Sequence, residues 1–354
     1  MKMCDLSDTV RASVREHRTQ LAKDPFHERS YRALFEIYQA ANATDAAFCV
    51  AAALVFLERA SSEEAAFVER HRPASMVVAR RSLDEGVLRR HVLHPDQDLY
   101  LTGILGLVTP AVAAWRAVAL PRSLDPREII DVDTDPSLFS RMAKYTKGVL
   151  DVAKPDVYLR PNDPGDMQVM NFHRDGSVRP SLVVFENMLR GKTEPHLVFA
   201  LGRHLMDLYV PHYCRVALDC SPQNLKQVLR AVLRSVGLPV DGDSAALVAI
   251  AHEIKGRMQN EEVDRLESLV RRYVETGPSD DLQRWSQAVE LTNYRVGLLL
   301  CQDLRIAAEM ISLEPPTLGS RSSPRDKIAD LVAYSISESY FTAREAIGVD
   351  VGTA

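Results

Sequence analysis

The stretch DVYLRPNDPGDMQVMNFHRDGSVRPSLVVFENMLRGKTEPHLVFALGRHLMDLY, residues 156–209, decides the fold. Three short runs, DVYL (156–159), MQVMNF (167–172) and SLVVFENM (181–188), are rich in apolar, β-branched and aromatic residues. RPNDPGD and HRDGSVRP separate them, both dense in proline, glycine and aspartate, and short apolar runs bounded by turn residues predict strands. The period then changes. Leu197, Ala200, Leu201, Leu205 and Leu208 recur at helical spacing, and Thr193, Glu194 and Pro195 supply a cap and a first-turn proline. A small sheet leads directly into a helix.

Outward from this stretch the chain reads as helix. Residues 8 to about 90 carry apolar residues at helical spacing, and in RSYRALFEIYQA (29–40) the residues Tyr31, Leu34, Phe35 and Tyr38 form one stripe. Asn42 and Thr44 mark a turn, and the alanine-rich AAFCVAAALVFLERA (46–60) completes a helical hairpin. LYLTGILGLVTPAVAAW (99–115) has no charge and is just long enough to span a bilayer. Pro110, two glycines and two threonines interrupt it, which suits a buried pair of short helices and no membrane span. PRSLDPREIIDVDTDP (121–136) is proline-rich and acidic and reads as the connection between two halves.

Beyond the sheet, helices are predicted over 222–236, 244–275, 281–312 and 325–346, with breaks at 277–281 and 315–324. Ile328, Leu331, Val332, Ser335, Ser339, Ala343 and Ala346 share one apolar-to-small face, so the C-terminal helix should dock on the body. The fold class that follows is mainly α (α+β), with one small sheet. Three regions are expected: helical hairpins over 1–125, the sheet-containing domain over 126–315, and a linker with a docking helix over 316–354.

The order of strands, turn and helix resembles the core of the zinc endopeptidases that include the CAAX prenyl proteases and the heat-shock protease HtpX. In that family the helix bears HExxH: two histidines bind zinc, the glutamate activates water, and a later helix supplies a glutamate as third ligand. At the corresponding place this chain has Arg203, His204, Leu205, Met206 and Asp207 after Gly202, so every chemical position has changed. In AVELTNYRVGLLLCQDLRIAAEMI (288–311), Glu290 stands at the third-ligand position and Tyr294 where an aspartate normally orients a histidine. The resemblance covers residues 145–312 and implies a degenerate site of Arg203, His204, Asp207, Glu290 and Tyr294.

Arginine cannot coordinate a cation, and histidine in place of the glutamate removes the usual base, so no zinc and no catalytic residue are expected. Instead Arg203, Asp207 and Glu290 are expected to converge, with the guanidinium in the place of the metal. The alternative is a zinc metallopeptidase with atypical ligands, using the carboxylates of Asp207 and Glu290. The hairpin resembles a tetratricopeptide repeat through Tyr31, Leu34, Tyr38 and Ala47. It departs from that pattern at Phe35 and Arg59 and shows no second copy, and a plain helical hairpin accounts for the same residues.

At 354 residues the chain can bury a substantial core, and with 26% charged and 46% hydrophobic residues it is not disordered in composition. A net charge of -5 gives no general attraction to nucleic acid. Cys4, Cys49, Cys214, Cys220 and Cys301 are odd in number and show no metal-finger spacing. With the charged opening MKMCDLSDTVRASVREHR they point to free thiols in a reducing cytoplasm.

No phosphate loop or GxSxG occurs. AHEIKG (251–256) begins like HExxH but ends on Gly256 and follows no strand, and His91, His94, Asp96 and Asp98 read more simply as a helix end. His212 with Cys214 or Cys220 lacks an orienting third group. The function these observations favour is a non-catalytic interaction or scaffold protein on a pseudo-metallopeptidase domain. Its partner would be another protein, with no small-molecule cofactor and no nucleic acid.

Overall fold

The computed structural model describes residues 8–240, 244–277, 281–315 and 322–352. Cys4 and most of the two predicted breaks at 277–281 and 315–324 lie outside the described residues. The chain opens with α1 (Asp8–Lys23), α2 (Glu28–Ala40), α3 (Thr44–Phe56) and α4 (Ser62–His71). Helices α2 and α3 form the predicted hairpin, with Tyr31, Leu34, Phe35, Tyr38 and Ala47 all buried in it. A capping box starts α4, with the Ser61 and Glu64 side chains each meeting the other's backbone N–H. The chain then runs irregularly to α5 (Glu85–Val87), which passes into a π-turn over Leu88–Val92.

The apolar stretch forms one helix, α6 (Leu99–Arg116), and not two short ones. Pro110 deletes a single backbone hydrogen bond, while Leu101, Ile104, Leu105, Val108 and Val112, all essentially buried, hold the helix on both sides of it. By length and composition α6 could cross a membrane, and half of its residues are buried inside this fold.

The sheet has five strands in the order β1-β4-β5-β3-β2: β1 (Val118–Ala119), β2 (Ile129–Ile130), β3 (Asp156–Arg160), β4 (Met167–Arg174) and β5 (Ser177–Phe185). The last three are the strands read from sequence. Asp175 and Gly176, both with positive φ, make the two-residue turn between β4 and β5, as expected for an Asp-Gly hairpin. Val157, Leu182 and Val184 point into the main core, while Tyr158, Phe172 and Val183 face the other way onto Leu124. The segment at 121–136 is therefore more than a connection. It covers that second face, and the chain from Val118 to Ile130 adds a short strand to each edge.

Helix α7 (Leu138–Leu150) precedes β3, and α8 (Glu186–Leu189) leads from β5 to α9 (Glu194–Leu205). Then follow α10 (Val210–Ala217), α11 (Pro222–Ser235), α12 (Ala245–Lys255), α13 (Asn260–Glu275), α14 (Leu282–Cys301), α15 (Leu304–Leu313), α16 (Pro324–Ser335) and α17 (Glu338–Ile347). Three predicted long helices are thus each two. The breaks come at Gly256–Gln259, at Gln302, whose φ is 61°, and at Ser337, whose side chain caps α17.

The main core joins Cys49 and residues from Leu83 onward into one cluster with the sheet. A second core of α1 to α4 is closed by Val332 and Ile336 of the C-terminal helices. Helix α17 is held there by Arg344, whose guanidinium pairs with Asp45 at 2.8 Å and donates to the Val349 carbonyl.

Candidate functional site

Helices α9 and α14 pack more extensively than any other pair of described helices, and two glycines allow it. A Cβ on Gly202 would lie 3.2 Å from the Gly297 Cα, and one on Gly297 would lie 2.9 Å from the Phe199 carbonyl oxygen. With the backbones this close, the polar residues after Gly202 face those of α14 around Glu290 and Tyr294. The place and the helices are those read from sequence.

The pairing differs from expectation. Arg203 does not make its ion pair with Asp207 or Glu290: its Nη1 lies 2.8 Å from Glu314, at the end of α15, and its guanidinium covers the Tyr294 ring at 4.8 Å. Glu290 pairs instead with Lys327 of α16 at 2.8 Å, both side chains at least 93% buried. The Lys327 ammonium also donates to the Tyr294 hydroxyl at 3.1 Å, and that hydroxyl donates to Glu314. Asp207 is not on the same α-helical turn as Arg203. Helix α9 ends at Leu205, and the tighter 3-10 turn Met206–Leu208 aims Asp207 at Arg215 (3.3 Å) and the Asn293 amide (2.7 Å).

Three ion pairs, Arg203–Glu314, Lys327–Glu290 and Arg215–Asp207, thus surround Tyr294 and Asn293. Burial works against the Arg203 charge, but Glu314, Tyr294, Asp207 and Glu290 together raise its pKa. Asp207 and Glu290 are therefore near it without being its partners. Burial raises the Glu314 pKa against the opposing pull of Arg203, the Tyr294 hydroxyl and Lys327. Burial, then Arg203 and Arg215, push the His204 pKa well below its ordinary value, so its Nε2 is free to accept from Arg203 Nη1 at 3.2 Å.

Sequence reading missed Glu314, Lys327 and Arg215. The last two carried a signal: Lys327 lies four residues before Leu331 on the docking face of α16, and Arg215 sits between Cys214 and Val216 in an apolar helix. Glu314, one residue past a helix and before Pro315, carried none.

The donor set does not fit a zinc ion. Each carboxylate that could bind one already faces a cation of the chain, and among the described residues no three His, Cys, Asp or Glu side chains are grouped to hold a metal. His252 of AHEIKG is exposed, and Glu253 pairs with Arg257. His94 faces Asp330, Asp96 pairs with Arg284, and Asp98 caps α6. His212 is fully buried against Gln97, its pKa lowered to about 3 by burial and by Arg215, while burial raises the Cys214 thiol to about 12. No thiolate–imidazole pair results.

Beside the ion pairs a cleft of about 390 Å³ opens between the α8–α9 connection and α15, with Arg203, His204 and Glu314 on its inner wall. No protein-family model, curated protein or solved structure matches this chain.

Proposed function

We propose that this chain is a non-catalytic interaction or scaffold protein of the cytoplasm, with another protein as its partner and α6 as a core helix. Its middle segment would be a pseudo-metallopeptidase domain, and its α2–α3 hairpin a single tetratricopeptide-like unit. One observation carries the reading. Where the resemblance to zinc endopeptidases places the metal, Glu290, Glu314 and Asp207 are met by Lys327, Arg203 and Arg215. Cations built into the fold take the role that a metal has in holding facing carboxylates together, and do so without an open coordination position for water.

Metal analysis of protein purified without chelator, joined to thermal unfolding with and without EDTA, tests this. A metal-free protein whose Tm does not move in EDTA is the expected result. Near-stoichiometric zinc that Glu290→Gln abolishes would replace this reading with that of a metallopeptidase using atypical ligands.

A further inference from the structure

The cleft beside Arg203 is lined by two unlike sets of side chains. Met188, Ala200, Met310 and Leu313 are its apolar lining, and Leu313 is 64% exposed, a large side chain left in water beside a concavity. Arg190, Lys192 and Arg203 are its cations. Arg190 is taken by Glu186 at 2.6 Å. Arg203 gives Nη1 to Glu314 and His204, while among the described residues its Nη2 and Nε donate no hydrogen bond. Lys192 is half-buried, and among the described residues it has neither ion pair nor hydrogen bond. A bound anion would give the Lys192 ammonium the counter-charge that it lacks among the described residues.

The acids lining the cleft limit what that anion can be. Glu186 is neutralised by Arg190, and Glu314 by Arg203 and the Tyr294 hydroxyl. Among the described residues the Asp166 carboxylate is held only by the neutral Asn187 amide, at 2.9 Å, and its charge opposes a second negative charge in the cleft. Phosphate and dicarboxylates are thereby disfavoured, and a purely polar anion would leave the apolar lining unused. About 390 Å³ is at the small end of ligand sites and admits one apolar side chain or short acyl group.

The geometry points to a site for a single carboxylate carried on a small apolar body: the carboxylate on Lys192 and the open edge of Arg203, the body against Met188, Met310 and Leu313. Such a group is offered by a free acid or by a polypeptide C-terminus ending on an apolar residue. Only in the second case does the inference rest on the interaction-protein reading, which it then deepens by naming what is bound.

The test titrates the whole chain, by calorimetry, with N-acetyl-L-leucine and with its uncharged amide, then with a leucine-ended decapeptide as free acid and as amide. Each acid should bind about tenfold more tightly than its amide, the worth of one charge-assisted hydrogen bond. Lys192→Gln should remove that preference, Asp166→Asn should strengthen acid binding, and Arg190→Gln, which leaves the Glu186 carboxylate unmatched in the cleft, should weaken it. A peptide acid bound much more tightly than N-acetyl-L-leucine identifies the ligand as a polypeptide tail, and equal affinities identify it as a free acid. Acid and amide binding alike, or neither binding at tens of millimolar, would overturn the inference and leave the non-catalytic reading to the zinc analysis. If the peptide is shortened during the titration, the non-catalytic reading falls while the binding site stands.

Discussion

Lys327→Met removes the cation of the most deeply buried ion pair around Tyr294 while keeping much of the volume of the side chain. Glu290, 3% exposed, would lose the ammonium 2.8 Å away and keep Arg203 and Arg215 at longer range. A stranded carboxylate can escape its charge by taking up a proton, which for an ordinary glutamate at pH 7 costs about 3.7 kcal/mol and so caps the loss. With the two arginines giving partial compensation, the expected destabilisation is about 2–4 kcal/mol. The sign with pH follows: a carboxyl whose folded-state pKa is raised stabilises the fold at low pH and loses that contribution as pH rises. The deficit of the variant should therefore be largest at neutral pH and shrink by up to about 1.4 kcal/mol per unit on acidification toward pH 5. Lys327→Met with Glu290→Gln should recover more than half of the loss, because no charge is then stranded. Urea unfolding of the parent, the two single variants and the double variant at pH 7.5 and 5.5 measures all of this. A single variant within about 0.5 kcal/mol of the parent, the range of neutral surface changes, or a double variant as unstable as the sum of its parts, would refute the reasoning.

Gly297→Ala should lower stability by about 1–2 kcal/mol despite the roughly 1 kcal/mol gain in helix propensity, because its Cβ meets both the ring and the carbonyl of Phe199. A raised urea midpoint would show that α9 and α14 have room to spare. His212, held neutral to about pH 3, binds its proton in the unfolded chain near pH 6.5, so stability should fall by about 1.4 kcal/mol per pH unit below that point. His212→Gln should reduce the slope between pH 6 and 4 by one proton, and an unchanged slope would mean that His212 already titrates with the fold intact. Arg344→Met, which strands Asp45, should cost about 3–5 kcal/mol. It should also speed amide exchange in α17 and α3 together, and exchange confined to α17 would show that the clasp does not couple them.

The sheet was legible because short apolar runs bounded by turn residues are local signals, and β3, β4 and β5 begin within a few residues of their predicted starts. The helix breaks were less so. Gln302 takes a left-handed conformation although glutamine favours helix, and Ser337 caps α17 without any glycine or proline to announce it. Pro110 misled in the opposite direction, since burial on both sides outweighs one missing hydrogen bond. At the site, Arg203, Glu290 and Tyr294 were named from their places in the zinc-peptidase pattern that the two helices resemble. Their partners were not, because Glu314 and Lys327 arrive from other elements, and which buried cation meets which carboxylate is settled by tertiary packing, not by spacing.

The clasp of Arg344 on Asp45 also sets an order of events at the ribosome. Asp45, Tyr38 and Val50 belong to helices made early, while Arg344, Phe341 and Val332, which cover or bind that surface, are translated almost three hundred residues later. At ordinary elongation rates the gap is roughly 15–60 s. For that interval the nascent α2–α3 hairpin presents an uncovered apolar flank and an unanswered carboxylate, so its completion waits on α16 and α17.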